Sequence, residues 1–276
     1  MIPALIILTA VIFHAALLMP GGPNLERSAH ILYFEYITGV LQGDFGMSWR
    51  LRRPVAPFLA NSFPHTLILA LGAITLASVL GVLLGILAAV RQNKLTDNII
   101  MVASLLTSSI PIFFLAVILM LIFSLHLGLL PSRGLDGYRG MILPITALAL
   151  PSVGFIARTT RTAMLDVLTL DSIKAARARG LPERSVIFSH ALRNMQVPVI
   201  TAIALRLAEL LSGTVLVELA FSIPGIGRLL IQAIEARDLP MMMGCIIVLS
   251  VAFMIINLIV DLLYIIADPK AGKSLR

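Results

Sequence analysis

Two long stretches without a charged side chain constrain this chain more than any other feature of its sequence. Residues Pro54–Val90 and Asn98–Ser132 contain no Asp, Glu, Lys or Arg. A helix needs about 20 apolar residues to cross the hydrocarbon core of a bilayer, so each stretch is long enough for a crossing. The chain of 276 residues is 59% hydrophobic and 13% charged, which is typical of a protein with several membrane-spanning helices. We therefore predict an all-α polytopic membrane protein.

The apolar segments predict six transmembrane helices. Their expected positions are Ile2–Met19, Thr66–Val90, residues 98–132 with a kink near Pro111, and about Met141–Ala157, Val197–Phe221 and Met241–Ile266. Gly81 and Gly85 form a GxxxG pattern in the second span, which allows close packing against another helix. The first segment could instead be a signal peptide. No basic region precedes it and no small-x-small cleavage pattern follows, so we favour a retained span.

Lys and Arg residues are distributed unevenly between the two sides that this topology creates. The 91–97 turn, the 158–196 loop and the C-terminal tail hold twelve of them, whereas the 20–63, 129–141 and 222–243 loops hold eight. Basic loops are retained in the cytoplasm, so we predict that both termini and the 158–196 loop lie inside. The same distribution accounts for the net charge of +7 without a nucleic-acid partner.

The longest polar interruption, Asp166–Pro198, predicts two short helices joined by a sharp turn. Asp171 is a suitable N-cap for a first helix over Ser172–Arg179. Gly180 then suits the left-handed position after the helix end, and Leu181 can supply the apolar contact of a Schellman motif.

The second helix of this segment begins at Pro182, a favoured first residue, and Glu183 places a carboxylate in the first turn, where the helix dipole stabilises it. Ala175, Ala176 and Ala178 on the first helix are small enough to let another surface approach closely. The alternative interpretation is an amphipathic two-helix loop that lies on the lipid headgroups.

This loop resembles the EAA loop of ABC-importer membrane subunits. The resemblance rests on Lys174, Ala175, Ala176, Gly180, His190, Leu192 and Pro198, with lysine at the position where the motif's name has glutamate. In that family the loop is a coupling helix that docks into a cleft on the ATPase subunit. The resemblance therefore implies an ATPase-coupling surface that includes Asp171, Lys174, Ala175, Ala176, Gly180, Leu181, Glu183, His190 and Leu192.

Further segments resemble the first permease subunit of dipeptide, oligopeptide and nickel ABC importers. They are DFGMS, LLPSRG, ARTTRTAMLDVL, HALRN, FSIPGIGRLL, ARDLP and NLIVDLLY with the following DP, and they extend over nearly the whole chain. The resemblance implies the type I importer permease (MetI-like) fold over residues 62–264, with the coupling loop at 166–198. Residues 1–61 would then supply a first transmembrane helix and an extracytoplasmic loop, and residues 265–276 a cytoplasmic tail.

In this family the loop between the last two spans meets the solute-binding protein. The residues to which this implication extends are Ser222, Ile223, Pro224, Gly225, Gly227, Arg228, Arg237 and Asp238. Ser222 and Ile223 stand before Pro224, where a tryptophan often precedes the proline in the family. That departure bears on docking or specificity.

Four ionisable residues fall within or near the last two predicted spans. Arg206 and Glu209 are three residues apart on one helix face and can neutralise each other. Because ionisable groups are costly in lipid, this pair is either a structural ion pair or part of a solute pathway, and the sequence leaves both interpretations open. Glu218 and Asp261 lie near span ends, where we expect an interfacial position for each.

The sequence contains no recognisable catalytic, nucleotide or metal motif. Gly272-Lys273-Ser274 lacks the first glycine of a P-loop, since Ala267 stands in its place, and neither HExxH nor GxSxG occurs. The single cysteine, Cys245, cannot form a disulfide framework. We therefore expect neither an enzyme nor a bound cofactor or metal in this chain.

The resemblance implies a bacterial inner-membrane assembly in which ATP and Mg²⁺ bind to two ATP-binding partner subunits. A homologous second permease, an extracytoplasmic solute-binding protein and membrane lipid complete the expected partners. A secondary transporter and an intramembrane enzyme are the rival classes, although we find neither an internal repeat nor a catalytic pair. The solute, a peptide or nickel or another chelated metal, stays open because the binding protein usually sets it.

Overall fold

The computed structural model describes residue 7, residues 9–11, 13–14, 29–133 and 137–267. The long helices in this part of the chain are built mainly from its apolar segments, and the β contact it contains is an isolated bridge between Met47 and Pro54. The helices are α1 (Ala29–Leu41), α2 (Ala56–Val90), α3 (Leu95–Ser109), α4 (Ile112–Leu119, continued as a π-helix over Met120–His126), α5 (Gly137–Leu168), α6 (Asp171–Ala178), α7 (Glu183–Ser185, continued by a π-helix over Val186–Ala191 and by Leu192–Asn194), α8 (Gln196–Ala220), α9 (Ile226–Glu235) and α10 (Leu239–Ala267).

Four of these helices, α2, α5, α8 and α10, are long and apolar enough to cross a membrane. They confirm four of the predicted spans, although α5 is longer than expected and carries the ARTTRTAMLDVL segment inside the helix. The predicted first span, Ile2–Met19, lies largely outside the described residues. The residues of this segment that the structure describes, 7, 9–11, 13 and 14, are helical. The described part of the chain thus supports four spans, or five if the bent pair α3–α4 counts as one.

The predicted kink near Pro111 is a much sharper break than expected. Helices α3 and α4 meet at 107°, so the pair is a broken span or a re-entrant loop. Ile110 has φ −85° and ψ 129° at the end of α3. A residue before proline is pushed out of the helical region by the proline ring, so this extended conformation ends α3 before α4 starts in a new direction.

Helices α2 and α5 make the most extensive helix–helix contact in the described part of the chain, and glycines allow their close approach. A Cβ atom added at Gly81 would lie 2.7 Å from Ile156 Cβ, and one added at Gly85 would lie 2.6 Å from the Ala157 carbonyl oxygen. Neither position has room for a side chain. The expectation that Gly81 and Gly85 form a close packing face is therefore confirmed, with α5 as the partner helix.

An ion pair that the sequence did not reveal joins α3 to α5. Arg161 Nε lies 2.6 Å from Asp97 Oδ1, and Arg161 Nη2 lies 2.7 Å from Asp97 Oδ2. The Asp97 side chain is only 2% exposed and also accepts a hydrogen bond from the backbone N–H of Asn93. A two-pronged guanidinium contact of this kind fixes geometry as well as charge. It places the start of α3 against α5.

The region between the last two spans is not the simple loop that we predicted over Ser222–Pro240. It contains the helix α9 between two short turns. Ser222 (φ 56°) and Arg237 (φ 53°) are left-handed residues on either side of α9, and each marks a sharp reversal of the backbone.

Candidate functional site: coupling loop, pathway residues and the outer loop

The coupling loop has the helix–turn–helix form that the sequence predicts. Gly180 has φ +77°, its N–H donates to the Arg177 carbonyl at 2.9 Å, and the Leu181 N–H donates to the Ala176 carbonyl at 3.4 Å. These two bonds are those of a Schellman motif, so the predicted end of the first helix is confirmed. The start differs by one residue, because Leu170 is the N-cap and Asp171 is the first helical residue.

Ion pairs stabilise the loop on both sides of the glycine turn. Lys174 Nζ lies 2.9 Å from Asp171 Oδ1 within α6. Arg177 reaches across the turn to Glu183 at the start of α7, with Nη2–Oε1 2.7 Å and Nε–Oε2 3.2 Å. The Arg177 guanidinium holds the pKa of the Glu183 carboxyl below its usual range. This pair links the two short helices across the turn.

Helix α6 has one face buried inside the chain and one face exposed. Ile173 and Ala176 are 1% and 0% exposed and belong to an apolar cluster with Met164 and Val186. The interpretation of Ala176 as a small residue that admits a partner is therefore wrong, because its side chain points into the chain's own core. The exposed residues of α6 are Asp171, Ser172, Lys174, Ala175, Arg177 and Ala178, and Arg179, Gly180, Leu181 and Glu183 continue this exposed surface. Leu192 is half-buried, and the His190 side chain lies outside the described residues.

The predicted contact between Arg206 and Glu209 forms, but the pair is not buried. Arg206 Nη1 lies 2.5 Å from Glu209 Oε2, and the two side chains are 25% and 63% exposed. The Arg206 guanidinium also lies over the ring of Phe155 on α5, 3.8 Å from its centroid. A cation held against an aromatic face and one carboxylate keeps a defined position while much of Glu209 stays open to the surroundings.

Glu218 is the functional residue that sequence reasoning placed wrongly. We expected it at the membrane interface, whereas it is 0% exposed within the chain. Thr66 Oγ1 donates to Glu218 Oε1 at 2.7 Å, and the Arg228 N–H at the start of α9 donates to Glu218 Oε2 at 2.9 Å. The Ile226 N–H donates to Thr66 Oγ1 at 2.9 Å. The carboxylate therefore occupies the positive N-terminal end of α9 and joins α2, α8 and α9.

Two glycines at the start of α9, in the segment between the last two spans, create the space for this carboxylate. A Cβ atom added at Gly225 would overlap the carboxyl group of Glu218, and one added at Gly227 would lie 2.7 Å from Val215 Cα. The PGIG sequence contained a signal for this packing, because closely spaced glycines at a helix start indicate a close approach of another group. The partner itself could not be identified from spacing.

Four of the eight residues that the resemblance assigns to the binding-protein contact are buried. Ile223, Gly225, Gly227 and Asp238 are buried, Ser222, Pro224 and Arg228 are half-buried, and Arg237 is exposed. Arg228 Nη1 donates to the Ser222 carbonyl at 2.5 Å, which closes the loop on itself. The side chains that this loop offers to a partner are therefore fewer than the sequence suggested.

Asp238 links the two segments DFGMS and ARDLP, which are far apart in the sequence. Its carboxylate accepts a hydrogen bond from Ser48 Oγ and one from the Trp49 N–H at 3.2 Å. It also accepts the Met241 N–H at 3.4 Å in the first turn of α10. The exposed Trp49 is thereby carried on a loop that is anchored to the last span. Among the described residues, no three His, Cys, Asp or Glu side chains group in a way that would hold a metal ion.

Comparison with known proteins decides the family. Residues 81–273 match the family described as binding-protein-dependent transport system inner membrane component. The chain belongs to this family. It is a transmembrane permease subunit of an ABC importer, a transport protein of the inner membrane, and neither rival class is retained.

The similarity to individual proteins covers almost the whole of this chain. The permease is 37% identical over 290 residues to the glutathione transport system permease protein GsiC of Salmonella choleraesuis (strain SC-B67), covering 98% of this chain and 95% of the relative. It is 36% identical to the protein of the same name from Escherichia coli (strain K12), with the same coverage.

Solved structures show the fold of the permease. A chain of the inward-facing MetNI methionine ABC transporter aligns with a TM-score of 0.66 at 20% identity, covering 76% of this chain and 96% of that one. A chain of an amino acid ABC transporter aligns with a TM-score of 0.58 at 17% identity, covering 75% and 93%. The predicted MetI-like permease fold is confirmed.

The buried Glu218 carboxylate predicts a strong effect of small changes around it. Glu218→Leu removes the acceptor for two buried donors, which should cost about 1–3 kcal/mol for each donor left unsatisfied. Gly225→Ala should destabilise the permease in the same direction, because its methyl group would displace the carboxylate. Thermal unfolding of the purified complex measures both effects. Glu235→Gln, on the exposed end of α9, is the matched control, and a Glu218→Leu complex as stable as this control would contradict the assignment.

Proposed function

We propose that this permease imports a peptide-like solute of the kind that glutathione represents. It would do so together with a homologous second permease, two ATP-binding subunits and an extracytoplasmic binding protein. ATP and Mg²⁺ bind to the ATP-binding subunits in this proposal, and the chain itself contributes a pathway and a mechanical contact without a cofactor. The observation that carries the mechanical part is the exposed face of α6, held rigidly by the turn at Gly180 and the Arg177–Glu183 pair.

The proposed mechanism uses the two faces of α6 for different tasks. The exposed face, centred on Ala175, docks on an ATP-binding subunit, and the buried face transmits its movement to the core. Ile173 packs in the same apolar cluster as Met164 of α5 and Val199 of α8, so a displacement of α6 would be passed through this cluster to two membrane helices. Closure of the ATP-binding subunits would in this way switch the cavity between outward- and inward-facing states.

A glutamate substitution on each face of α6 distinguishes a defect in docking from a defect in folding. Ala175→Glu adds a charge to the exposed face, so the complex should assemble but lose solute uptake and binding-protein-stimulated ATP hydrolysis. Ala176→Glu places the same charge in the apolar cluster, so it should reduce the amount of assembled permease instead. Ser189→Ala, an exposed change on α7, is the control that should leave transport near normal. Normal uptake by a well-assembled Ala175→Glu complex would mean that the loop does not dock.

The proposed solute follows from the similarity to glutathione permeases along almost the whole chain. Nickel or a chelated metal is the alternative that the sequence left open. Vesicles containing the complex and its cognate binding protein should take up labelled glutathione or a labelled dipeptide in an ATP-dependent manner, and should not take up nickel. Uptake of nickel alone would contradict the peptide-like solute while leaving the importer assignment intact.

The proposed orientation places both termini and the coupling loop in the cytoplasm. Arg158 and Arg161 on that side and Arg139 on the other lie inside α5, which leaves ten basic residues on the proposed cytoplasmic side against seven on the other. Single cysteines at Ser189 and Ser132, introduced with Cys245→Ser, should be labelled from opposite sides of the membrane. Labelling of both by an impermeant reagent in intact cells would contradict this topology.

A further inference from the structure

The C-terminal half of α5 has three faces, and two of them are already engaged. One face packs on α2 through Ile156, Ala157 and Thr160. A second face holds α3, where Arg158 Nη1 donates to the Ser104 carbonyl at 2.6 Å and Arg161 pairs with Asp97. The ARTTRTAMLDVL segment thus contains two arginines with structural partners. Its other polar residues need a different explanation.

The third face carries Phe155, Thr159, Thr162 and Asp166. Their spacings of four, three and four residues place them on one side of the helix. All four side chains are partly or fully exposed in the isolated chain. At a rise of 1.5 Å per residue the row is about 16 Å long. The polar residues Thr159, Thr162 and Asp166, in the 158–196 segment, occupy about 10 Å of this length, and an exposed carboxylate among them indicates contact with water or a solute.

Helix α8 runs alongside and completes a groove whose wall is mostly apolar between its polar side chains. A cavity of about 450 Å³ lies between this face of α5 and the start of α8, lined by Arg158, Thr159, Thr162, Asp166 and Pro198 among others. At the other end of the row, Arg206 of α8 stacks on Phe155 and pairs with Glu209. The groove therefore has a guanidinium and a carboxylate at one end, hydroxyl groups in the middle and a second carboxylate at the end nearest the coupling loop.

We propose that this groove, formed by Phe155, Thr159, Thr162 and Asp166 of α5 with Arg206 and Glu209 of α8, is the wall of the solute pathway and binds an extended zwitterion with a free carboxylate. The inference rests on the proposed importer function and assigns its pathway to particular residues. The guanidinium of Arg206 carries five N–H donors, and the pair with Glu209 uses only those on Nη1.

The size and charge of the groove match such a solute. Three residues of extended peptide span about 10 Å, which fits within the row. The carboxylate would lie against Arg206 and the threonine hydroxyls would bond to amide groups. Asp166, at the other end of the row, would face the amine of a longer peptide of about five residues. Glu209 neutralises Arg206 when no carboxylate is present, so the arginine is not left as an isolated charge in the membrane region.

Cysteine accessibility tests the position of the pathway. Thr159→Cys, Thr162→Cys and Asp166→Cys, each introduced with Cys245→Ser in the full complex, should react with a small water-soluble thiol reagent. Thr146→Cys is the matched control, because Thr146 lies on the same helix beside an apolar groove formed with α2. Thr160→Cys is a second control at a fully buried position. Both controls should react at least tenfold more slowly.

The pattern of reactivity decides the position independently of any transport measurement. Fast reaction at 159, 162 and 166 with slow reaction at both controls supports the groove. Equal rates at all positions, or no reaction at 159 and 162, would overturn it and would mean that a helix of the second permease or lipid covers this face. Because this readout needs no solute, its failure is distinguishable from failure of the importer function.

Uptake of labelled trialanine and of its C-terminal amide tests the solute class. Arg206→Gln should raise the half-saturating concentration for trialanine at least about tenfold, the effect of losing one charge-assisted hydrogen bond. The same variant should leave the value for the amide unchanged. An equal change for both compounds, or uptake of neither by the unaltered complex, would overturn the carboxylate assignment.

Discussion

The close contact between α2 and α5 is the constraint on which the rest of this permease depends. Gly81 and Gly85 let the two backbones approach to a distance at which no side chain fits. In lipid there is little hydrophobic gain when two helices associate, so close van der Waals packing has to supply the stabilisation. With α5 held on one side by α2, its other faces are available for α3, α8 and the coupling loop. Helix α5 is therefore the element through which the functional parts are connected.

Three buried carboxylates join further elements of the chain, two of them to α2 or α5, and each has its hydrogen-bond donors in place. Asp97 is paired with Arg161 on α5, Glu218 accepts from Thr66 and the start of α9, and Asp238 accepts from Ser48 and backbone N–H groups. An unpaired buried charge is strongly destabilising, whereas a paired one specifies a single arrangement. Glu218 and Asp238 lie at the end of the helices away from the coupling loop. They make that end a connected unit with little freedom to move in parts.

At the opposite end, local contacts define the arrangement of the coupling loop. The turn at Gly180 and the ion pair between Arg177 and Glu183 fix the two short helices relative to each other. Ile173 and Ala176 then attach α6 to the apolar cluster that contains residues of both α5 and α8. The proposed groove lies between these same two helices. In the proposed mechanism, a displacement of α6 would therefore reach the proposed groove through the side chains of this cluster.

The sequence by itself determined the class of protein, most of the spans and the shape of the coupling loop. Apolar stretches specify membrane helices because hydropathy is a property of consecutive residues, and the turn at Gly180 follows from local backbone sterics. The tertiary structure alone decided that Ala176 points inward, that Glu218 is buried and that Asp97 meets Arg161. It also decided that α3 and α4 meet at 107°. These outcomes depend on which distant groups come together, since a carboxylate is costly or stabilising according to the donors around it, and spacing along the chain does not contain that information.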